Sequence, residues 1–196
     1  EINLRNWSYE SVFKYLKSGL TGIDRKEIDV LENYILANGI KGFRWTGELE
    51  VADTEEDDEK AIDPIKIMLK VREPLMKLHK AINKNTVKQM CTAIYEFLLE
   101  LDVFNKIDLW IEDFEKKGLQ DKVMEYQQIP EIVLGILDQA VEVIGSENLT
   151  CNEFYKILNS GFASKEIGVI PVALDQVNVG DIARVKGRNS KAIFIV

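Results

Sequence analysis

The stretch TVKQMCTAIYEFLLEL, from Thr86 to Leu101, is the strongest amphipathic run in the chain. Its apolar residues recur at intervals of three and four, which is the period of a helix that buries one face. Thr86 has a hydroxyl suited to be the N-cap of such a helix. The run therefore predicts a helix packed against other helices. Its apolar positions are Val87, Met90, Cys91, Ile94, Phe97, Leu98 and Leu101.

Helical patterns also precede this run. Residues 8–20 have helical spacing, with Ser8 placed as an N-cap. A second pattern predicts a helix over 25–38, and a third begins near Asp57 or Asp63 and continues to about Ile82. Within the third, Pro64 suits the first turn, and we expect Pro74 to kink or divide the helix. The signals for the second helix are a capping box, a hydrophobic staple and a terminal glycine, at Asp24 and Glu27, at Ile23 and Ile28, and at Gly39.

Helical patterns also follow the run. They predict helices at about 103–117, at 119–143 with a break near Pro130, and at 151–160. Thr150 and Glu153 have capping-box spacing before the last helix, and Gly161 is expected to end it. The fold class predicted for residues 1–164 is therefore mainly α, a multi-helix domain.

The pattern changes after Ser164. Residues 167–179 are rich in β-branched side chains, a polar connector follows, and the run Lys191–Val196 is apolar at consecutive positions. Residues 165–196 therefore predict a strand, a connector and a second strand, joined as a loose hairpin or as a short crossover between parallel strands. Because a consecutive apolar strand needs neighbours on both faces, we expect the chain to be a segment of a larger protein.

Composition excludes several classes of protein. The chain has 196 residues, of which 46% are hydrophobic and 30% charged, which is ordinary for a globular domain with a real core. No apolar window is long enough to span a membrane and no signal-peptide pattern is present, so a cytoplasmic location is expected. Cys91 and Cys151 lie in helical patterns, where a free cysteine behaves as a small buried hydrophobe.

Charge is unevenly distributed. The net charge is −8, which argues against the whole chain binding nucleic acid by simple charge attraction. From Lys165 onward, however, the sequence contains five cationic residues and three carboxylates, which gives a net charge of +2. Residues 48–59 are dominated by carboxylates but lack the ligand spacing of a calcium loop, so they are interpreted as a solvated loop.

Few residues in the sequence could carry catalytic chemistry. There is no phosphate-binding glycine loop ending in Lys-Ser/Thr and no Gly-x-Ser-x-Gly elbow. His79 has no nearby cysteine or second histidine, and it is interpreted as a surface or partly packed residue. The three tryptophans are scattered without interleaved basic residues, so packing is favoured over base stacking. They are Trp7, Trp45 and Trp110.

The connector Asp181–Arg188 is the remaining candidate site. It combines basic side chains with Gly187, where the backbone can approach a ligand closely. Such an element could contact phosphate groups, and the alternative is an ordinary solvated turn. The residues alone leave both interpretations open.

Several stretches carry a resemblance to a known family. They lie near the two ends of the chain and are similar to the B subunit of the bacterial AddAB (RexAB) helicase-nucleases, which are related to UvrD-like superfamily 1 helicases. The middle helices match only in general pattern. The stretches are Trp7–Leu20, Leu31–Gly42, Ile170–Val177 with Gly180 and Asp181, and Lys191–Val196.

The resemblance implies a fold and a function. Residues 1–164 would be a helical subdomain of the type called 2B, and 165–196 would begin the α/β core that follows it. The parent would resect DNA ends for double-strand break repair by homologous recombination, working with an AddA-like partner subunit. It would use ATP, magnesium and an iron-sulfur cluster held by four cysteines, none of which this chain is expected to bind.

The resemblance also implies a place for the tail. The tail residues would fall where related helicases have a motif that faces DNA and the nucleotide. In those helicases the motif contains Lys-Gly-Leu-Glu, whereas residues 186–189 of this chain are Lys-Gly-Arg-Asn. This departure favours DNA or structural contact over coupling to the nucleotide. We expect a noncatalytic accessory segment without ATPase or nuclease activity. The alternative is a free-standing acidic helical module that binds a protein. The predicted nucleic-acid contacts are Gln176, Asp181, Arg184, Lys186 and Arg188.

Overall fold

A computed structural model describes residues 1–47, 62–83, 85–165 and 167. The acidic loop, the predicted strands and the basic connector lie outside these residues. In the described ranges the chain is mainly α-helical, which confirms the predicted fold class. The helices are α1 (Tyr9–Leu16), α2 (Arg25–Asn38), α3 (Phe43–Thr46), α4 (Pro64–Ala81), α5 (Val87–Glu100), α6 (Val103–Lys116), α7 (Gln120–Gln127), α8 (Ile129–Ile144) and α9 (Cys151–Ala163).

Helix starts follow the capping signals in the sequence. A complete capping box begins α2, α5 and α9. In each box the N-cap side chain accepts a hydrogen bond from the backbone N–H of N3, and the N3 side chain accepts one from the backbone N–H of the N-cap residue. Asp63 caps α4 by accepting from the backbone N–H of Ile65 at 2.8 Å. Each bond satisfies a donor that the first turn of a helix leaves free. The boxes join Asp24 to Glu27, Thr86 to Gln89 and Thr150 to Glu153.

The end of α2 depends on Gly39. This residue has a left-handed backbone with φ of 59°. Its N–H donates to the carbonyl of Leu36 at 3.4 Å, and the N–H of Ile40 donates to the carbonyl of Ile35 at 3.0 Å. This is the Schellman pattern, and the two isoleucines that flank it are both buried. The predicted terminal glycine is confirmed.

Two glycines that differ mainly in backbone conformation provide a test of this end. A Cβ added at Gly39 or at Gly135 would meet no atom within 4 Å, but only Gly39 has a positive φ. Gly39→Ala is expected to lower the free energy of unfolding by about 1 kcal/mol. Gly135→Ala, within α8, is expected to raise it by about 0.5–1 kcal/mol, because alanine loses less backbone entropy in a helix. Urea denaturation measures both, and effects of equal sign would contradict the explanation.

Two predicted helix ends do not occur. Pro74 does not divide α4, which is one continuous helix with the buried neighbours Val71 and Leu75 on either side of the proline; the predicted kink stays a prediction. α9 continues past Gly161 to Ala163. A Cβ at Gly161 would lie 3.1 Å from Cγ2 of Ile136, so this glycine permits close approach of α9 to α8. In both cases tertiary packing outweighs a local breaker.

Other helix limits differ less. α1 ends at Leu16, short of the predicted Leu20, and the break near Pro130 falls at Gln128, between α7 and α8. The short helix α3 was not predicted. Gly19, just after α1, has φ of 78°, and a Cβ there would lie 3.0 Å from the ring of Trp110. The chain therefore turns early so that α6 can pack closely against it.

The buried side chains form two clusters. The first joins α1, α2, α3 and α4 with the first residues of the chain, and its fully buried members include Trp45, Leu31 and Met68. The second joins α5, α8 and α9 around Met90 and Phe154. Each cluster buries the apolar faces that the periodicity predicted.

Contacts between rings and one lysine connect the two halves. Tyr15 of α1 stacks on Phe97 of α5 with ring centroids 6.4 Å apart. Lys106 of α6 donates through Nζ to the carbonyls of Leu20, at 2.9 Å, and Leu101. A cation at the end of α5 also complements the partial negative charge of its free carbonyls. The loop after α1 is thus held against the junction of α5 and α6.

Candidate functional site

The predicted nucleic-acid contacts lie outside the described residues. The structure therefore neither brings them together nor separates them, and the contact remains a prediction. The set is Gln176, Asp181, Arg184, Lys186 and Arg188.

The tryptophans are packing residues, as predicted. Trp7 and Trp45 are buried, and their rings stack with centroids 5.7 Å apart. Trp110 packs its edge against Tyr126 at 5.9 Å and touches the backbone at Gly19. The ring nitrogen of Trp45 is buried without a hydrogen-bond partner among the described residues. Burial closes Trp7 and Trp45 to base stacking, while Trp110 is partly buried.

The histidine and the cysteines do not form a reactive centre. His79 is half-buried on α4, which agrees with the partly packed residue predicted. Cys91 is buried, and burial, with a smaller effect of the charge on Asp138, raises the pKa of its thiol to about 11. Cys151 is a partly buried free thiol. Across the described ranges, no group of His, Cys, Asp and Glu is arranged to hold a metal ion.

None of the described helices is both long enough and apolar enough to cross a bilayer.

An ion cluster joins α1 to α2. Tyr9 donates through its hydroxyl to Glu32, and Lys17 approaches the same carboxylate at 2.7 Å. The hydrogen bond from Lys17, followed by that from Tyr9, lowers the pKa of Glu32. The bond to Glu32 raises the pKa of both donors. Each of the three groups has a partner, so the cluster is a structural link between helices.

One surface differs from the rest of the described structure. Phe43 on α3 is 80% exposed, the highest exposure among the large apolar residues described. It lies between Gly42 and Trp45 in the sequence, and both of these residues are buried. We call the surface formed by Lys41, Phe43, Arg44 and Arg72 the α3 surface.

The backbone that presents Phe43 is fixed by close contacts. Gly42 has φ of 59° and ψ of −127°, a conformation open essentially only to glycine. A Cβ there would lie 3.0 Å from the side-chain nitrogen of Asn6. The turn containing Asn6 is closed by the N–H of Trp7 donating to the carbonyl of Ile2 at 2.9 Å. The backbone next to Phe43 is thus closely packed against the first residues of the chain.

The cations of the α3 surface lack carboxylate partners. Arg44 donates to the carbonyl of Asn38 at 2.7 Å, and Arg72 donates to the carbonyl of Gly47 at 2.8 Å. Neither they nor Lys41 lie within 4.0 Å of a carboxylate among the described residues. By contrast, both Lys116 and Lys117 are paired with carboxylates. Among the described residues, the α3 surface therefore combines three cations that lack a carboxylate partner with an exposed aromatic ring.

Several exposed apolar side chains lie on α8, on α9 and shortly after the end of α9. Val143 is 72% exposed, and Ile157, Phe162 and Ile167 are also exposed. α8 is amphipathic, and Val143 lies beside its polar face, next to the exposed residues Gln139 and Glu142. We call the four apolar side chains the α8–α9 surface. Its chemistry suits contact with another protein surface.

Neither surface was predicted from the sequence. For the α3 surface the available signal was GIKGFRW, residues 39–45, in which two glycines bracket Lys41 and an aromatic and arginine pair follows. For the α8–α9 surface the signal was Val143, an apolar residue beside the polar positions 139 and 142 of an amphipathic segment. Neither pattern reveals which apolar residue is exposed, because that depends on how the helices pack.

The fold defines a mainly α-helical domain with two exposed surfaces. No known protein-family profile matches the chain. The chain is 45% identical to the B subunit of the ATP-dependent helicase/deoxyribonuclease of Clostridium botulinum (strain Loch Maree / Type A3), over 100% of this chain and 18% of that protein. It is 41% identical to the protein of the same name from Thermoanaerobacter sp. (strain X514), and 40% identical to that from Clostridium tetani (strain Massachusetts / E88), with the same coverage.

These identities extend along the whole chain. The chain is therefore homologous to one segment of the B subunits of bacterial ATP-dependent helicase/deoxyribonucleases, which confirms the resemblance noted in the sequence. It spans about a fifth of the length of the relatives it matches.

Proposed function

We propose that this chain is a noncatalytic helical segment of the B subunit of a bacterial ATP-dependent helicase/deoxyribonuclease. The whole enzyme would resect DNA ends in double-strand break repair by homologous recombination. The observation that carries the proposal is the 40–45% identity, over the entire chain, to proteins of that name. The absence of a phosphate-binding loop from the sequence supports a role other than catalysis.

The segment would act by shaping the DNA path and by contacting other parts of the enzyme. The mainly helical fold supports the comparison with a 2B-type subdomain, followed in 165–196 by the start of the core. The α8–α9 surface supports an assembly role, because it offers apolar side chains to a neighbour. That neighbour would be the remainder of the same B subunit or its AddA-like partner.

The cofactors of the whole enzyme do not fit the residues of this chain. An iron-sulfur cluster needs four thiolates, but the chain has two cysteines, and one of them is buried with a raised pKa. ATP and magnesium would be bound by residues that the sequence does not contain. All three would be held elsewhere in the enzyme.

Direct DNA contact is proposed for the basic connector. The 196-residue chain is expected to bind a short DNA duplex weakly, with affinity that falls as salt rises. Changing Arg184, Lys186 and Arg188 together to glutamine is expected to abolish this binding at moderate salt. The slope of log K against log salt concentration is expected to become shallower by about 0.9 for each cation lost. Fluorescence anisotropy across a salt series measures both quantities.

A matched control has the same change in net charge. It replaces Lys116, Lys117 and Lys122 by glutamine, three lysines that are already paired with carboxylates. The control is expected to bind DNA nearly as the unchanged chain does. Binding that is independent of salt, or that weakens equally in both variants, would contradict the proposed contact.

A further inference from the structure

A further group of exposed apolar side chains lies where α5 meets α6. Tyr95 and Leu99 of α5 are 41% and 51% exposed, and they lie one helical turn apart. The half-buried ring of Phe104 on α6 lies beside that of Tyr95, with ring centroids 6.4 Å apart. Single exposed apolar residues are normal, but neighbouring ones on two helices form a patch. We call these three side chains the α5–α6 surface.

The α5–α6 surface points away from the buried clusters. The fully buried Met90 marks the core-facing side of α5. Leu99 follows it by nine residues, which places the two side chains about 180° apart around the helix axis. An amphipathic helix normally has polar residues at that position. Packing among the described residues therefore does not account for the apolar side chain at Leu99.

Three carboxylates border the α5–α6 surface, each within four residues of one of its members. All three are exposed, and none lies within 4.0 Å of a basic nitrogen in the ranges that the structure describes. Lys88, the cation of α5, precedes Tyr95 by about two turns. The surface is therefore apolar at its centre and negative at its border. The carboxylates are Glu96, Asp102 and Asp108.

We propose that the α5–α6 surface is a docking site for a segment of a partner protein that presents apolar side chains flanked by lysine or arginine. The apolar side chains would pack on Tyr95, Leu99 and Phe104, and the basic ones would pair with the bordering carboxylates. An apolar centre with a polar rim is the usual arrangement of a protein interface. Charge complementarity selects this occupant, because the negative border would repel an acidic segment or a phosphate backbone.

This inference deepens the proposed function and rests on it for the source of the segment, which would be another polypeptide of the helicase/deoxyribonuclease. It uses residues separate from the basic connector and from the α8–α9 surface. The binding test contains no DNA and leaves the connector unchanged. Its failure would therefore leave the proposed DNA contact standing, and failure of the DNA test would leave the α5–α6 surface standing.

The experiment measures by fluorescence anisotropy how the 196-residue chain binds a labelled synthetic peptide. The probe has about 14 residues, which make about four helical turns, with leucine at helical spacing and lysine elsewhere. Tyr95→Ser with Leu99→Ser is expected to weaken binding about tenfold, because both side chains lie at the centre of the contact. A second probe, with glutamate in place of every lysine, is expected not to bind the unchanged chain.

Charge reversal tests the border separately. Glu96→Lys with Asp108→Lys is expected to weaken binding of the lysine probe and to allow binding of the glutamate probe, because the preferred charge of the occupant is exchanged. Loss of folding cannot produce such an exchange of preference.

Two control variants are matched to these changes. Leu36→Ser with Val143→Ser removes two exposed apolar side chains from α2 and α8, and Asp29→Lys with Glu142→Lys reverses two exposed carboxylates on the same two helices. Both controls are expected to bind the lysine probe within about twofold of the unchanged chain, because side chains outside a contact contribute little to its affinity. Thermal melts confirm that every variant is folded.

Three results would overturn the proposal. The first is a lysine probe that does not bind the unchanged chain at low salt. The second is a Tyr95→Ser, Leu99→Ser variant that binds this probe as well as the Leu36→Ser, Val143→Ser control does. The third comes from sedimentation: an unchanged chain that is a dimer, and a Tyr95→Ser, Leu99→Ser variant that is a monomer, would show that a second copy covers the surface.

Discussion

Replacing Trp45 with alanine is expected to lower the free energy of unfolding by about 3–5 kcal/mol, the range for truncation of a large buried aromatic. The side chain is 0% exposed and lies in the first cluster, stacked on Trp7. Its removal would leave a cavity that the short helix α3 and its rigid turn cannot easily fill. Urea denaturation followed by circular dichroism measures the change.

Trp45→Phe separates the effect of the ring from that of its nitrogen. Phenylalanine keeps an aromatic side chain in the stack and removes the Nε1–H, which has no partner among the described residues. A buried donor without a partner is itself unfavourable by about 1–3 kcal/mol. We therefore expect Trp45→Phe to destabilise far less than Trp45→Ala. Equal losses would indicate that the ring does not pack as the structure shows.

The thiol of Cys91 is expected to react about 100-fold more slowly at pH 8 than a thiol with the ordinary pKa of 9.0, because only the thiolate is nucleophilic. Burial, and then the negative charge of Asp138, raise its pKa to about 11. The rate should rise about tenfold for each pH unit between 8 and 10. Iodoacetamide labelling followed by peptide mass spectrometry measures the rate at Cys91 alone.

Labelling in concentrated urea is the control, because unfolding exposes the thiol. A rate at pH 8 that is the same in urea and in buffer would contradict the buried position of Cys91. The raised pKa also affects stability. The pKa of this thiol is higher in the folded chain than in the unfolded chain. The stabilisation that the neutral thiol contributes to the free energy of unfolding is therefore complete below pH 9 and is lost as pH rises toward 11.

Helix starts could be predicted from sequence because their causes are local. The hydroxyls of Thr86 and Thr150 and the carboxylate of Asp24 bond to backbone groups three residues away, so the neighbouring sequence is sufficient to place them. The same holds for Gly39, whose left-handed backbone ends α2. These positions required no knowledge of the tertiary fold.

The predictions that failed also have a physical explanation. Pro74 and Gly161 are breakers in isolated helices, yet each lies inside a helix here because packing on both sides compensates for the lost bond or the lost entropy. The candidate site was harder still. Phe43 and Trp45 are both aromatic residues of one short helix, and sequence alone gives no reason for one to be exposed and the other buried.

The sequence by itself determined the mainly helical class, most helix limits and the relationship to helicase/deoxyribonuclease B subunits, because caps, periodicity and residue identity are properties of the chain. Only the tertiary structure decided which apolar side chains remain exposed. Phe43 is exposed because Gly42 closes on Asn6 while Trp45 stacks on Trp7, contacts between residues more than thirty positions apart. Exposure is a property of the packed fold, and no local pattern can specify it.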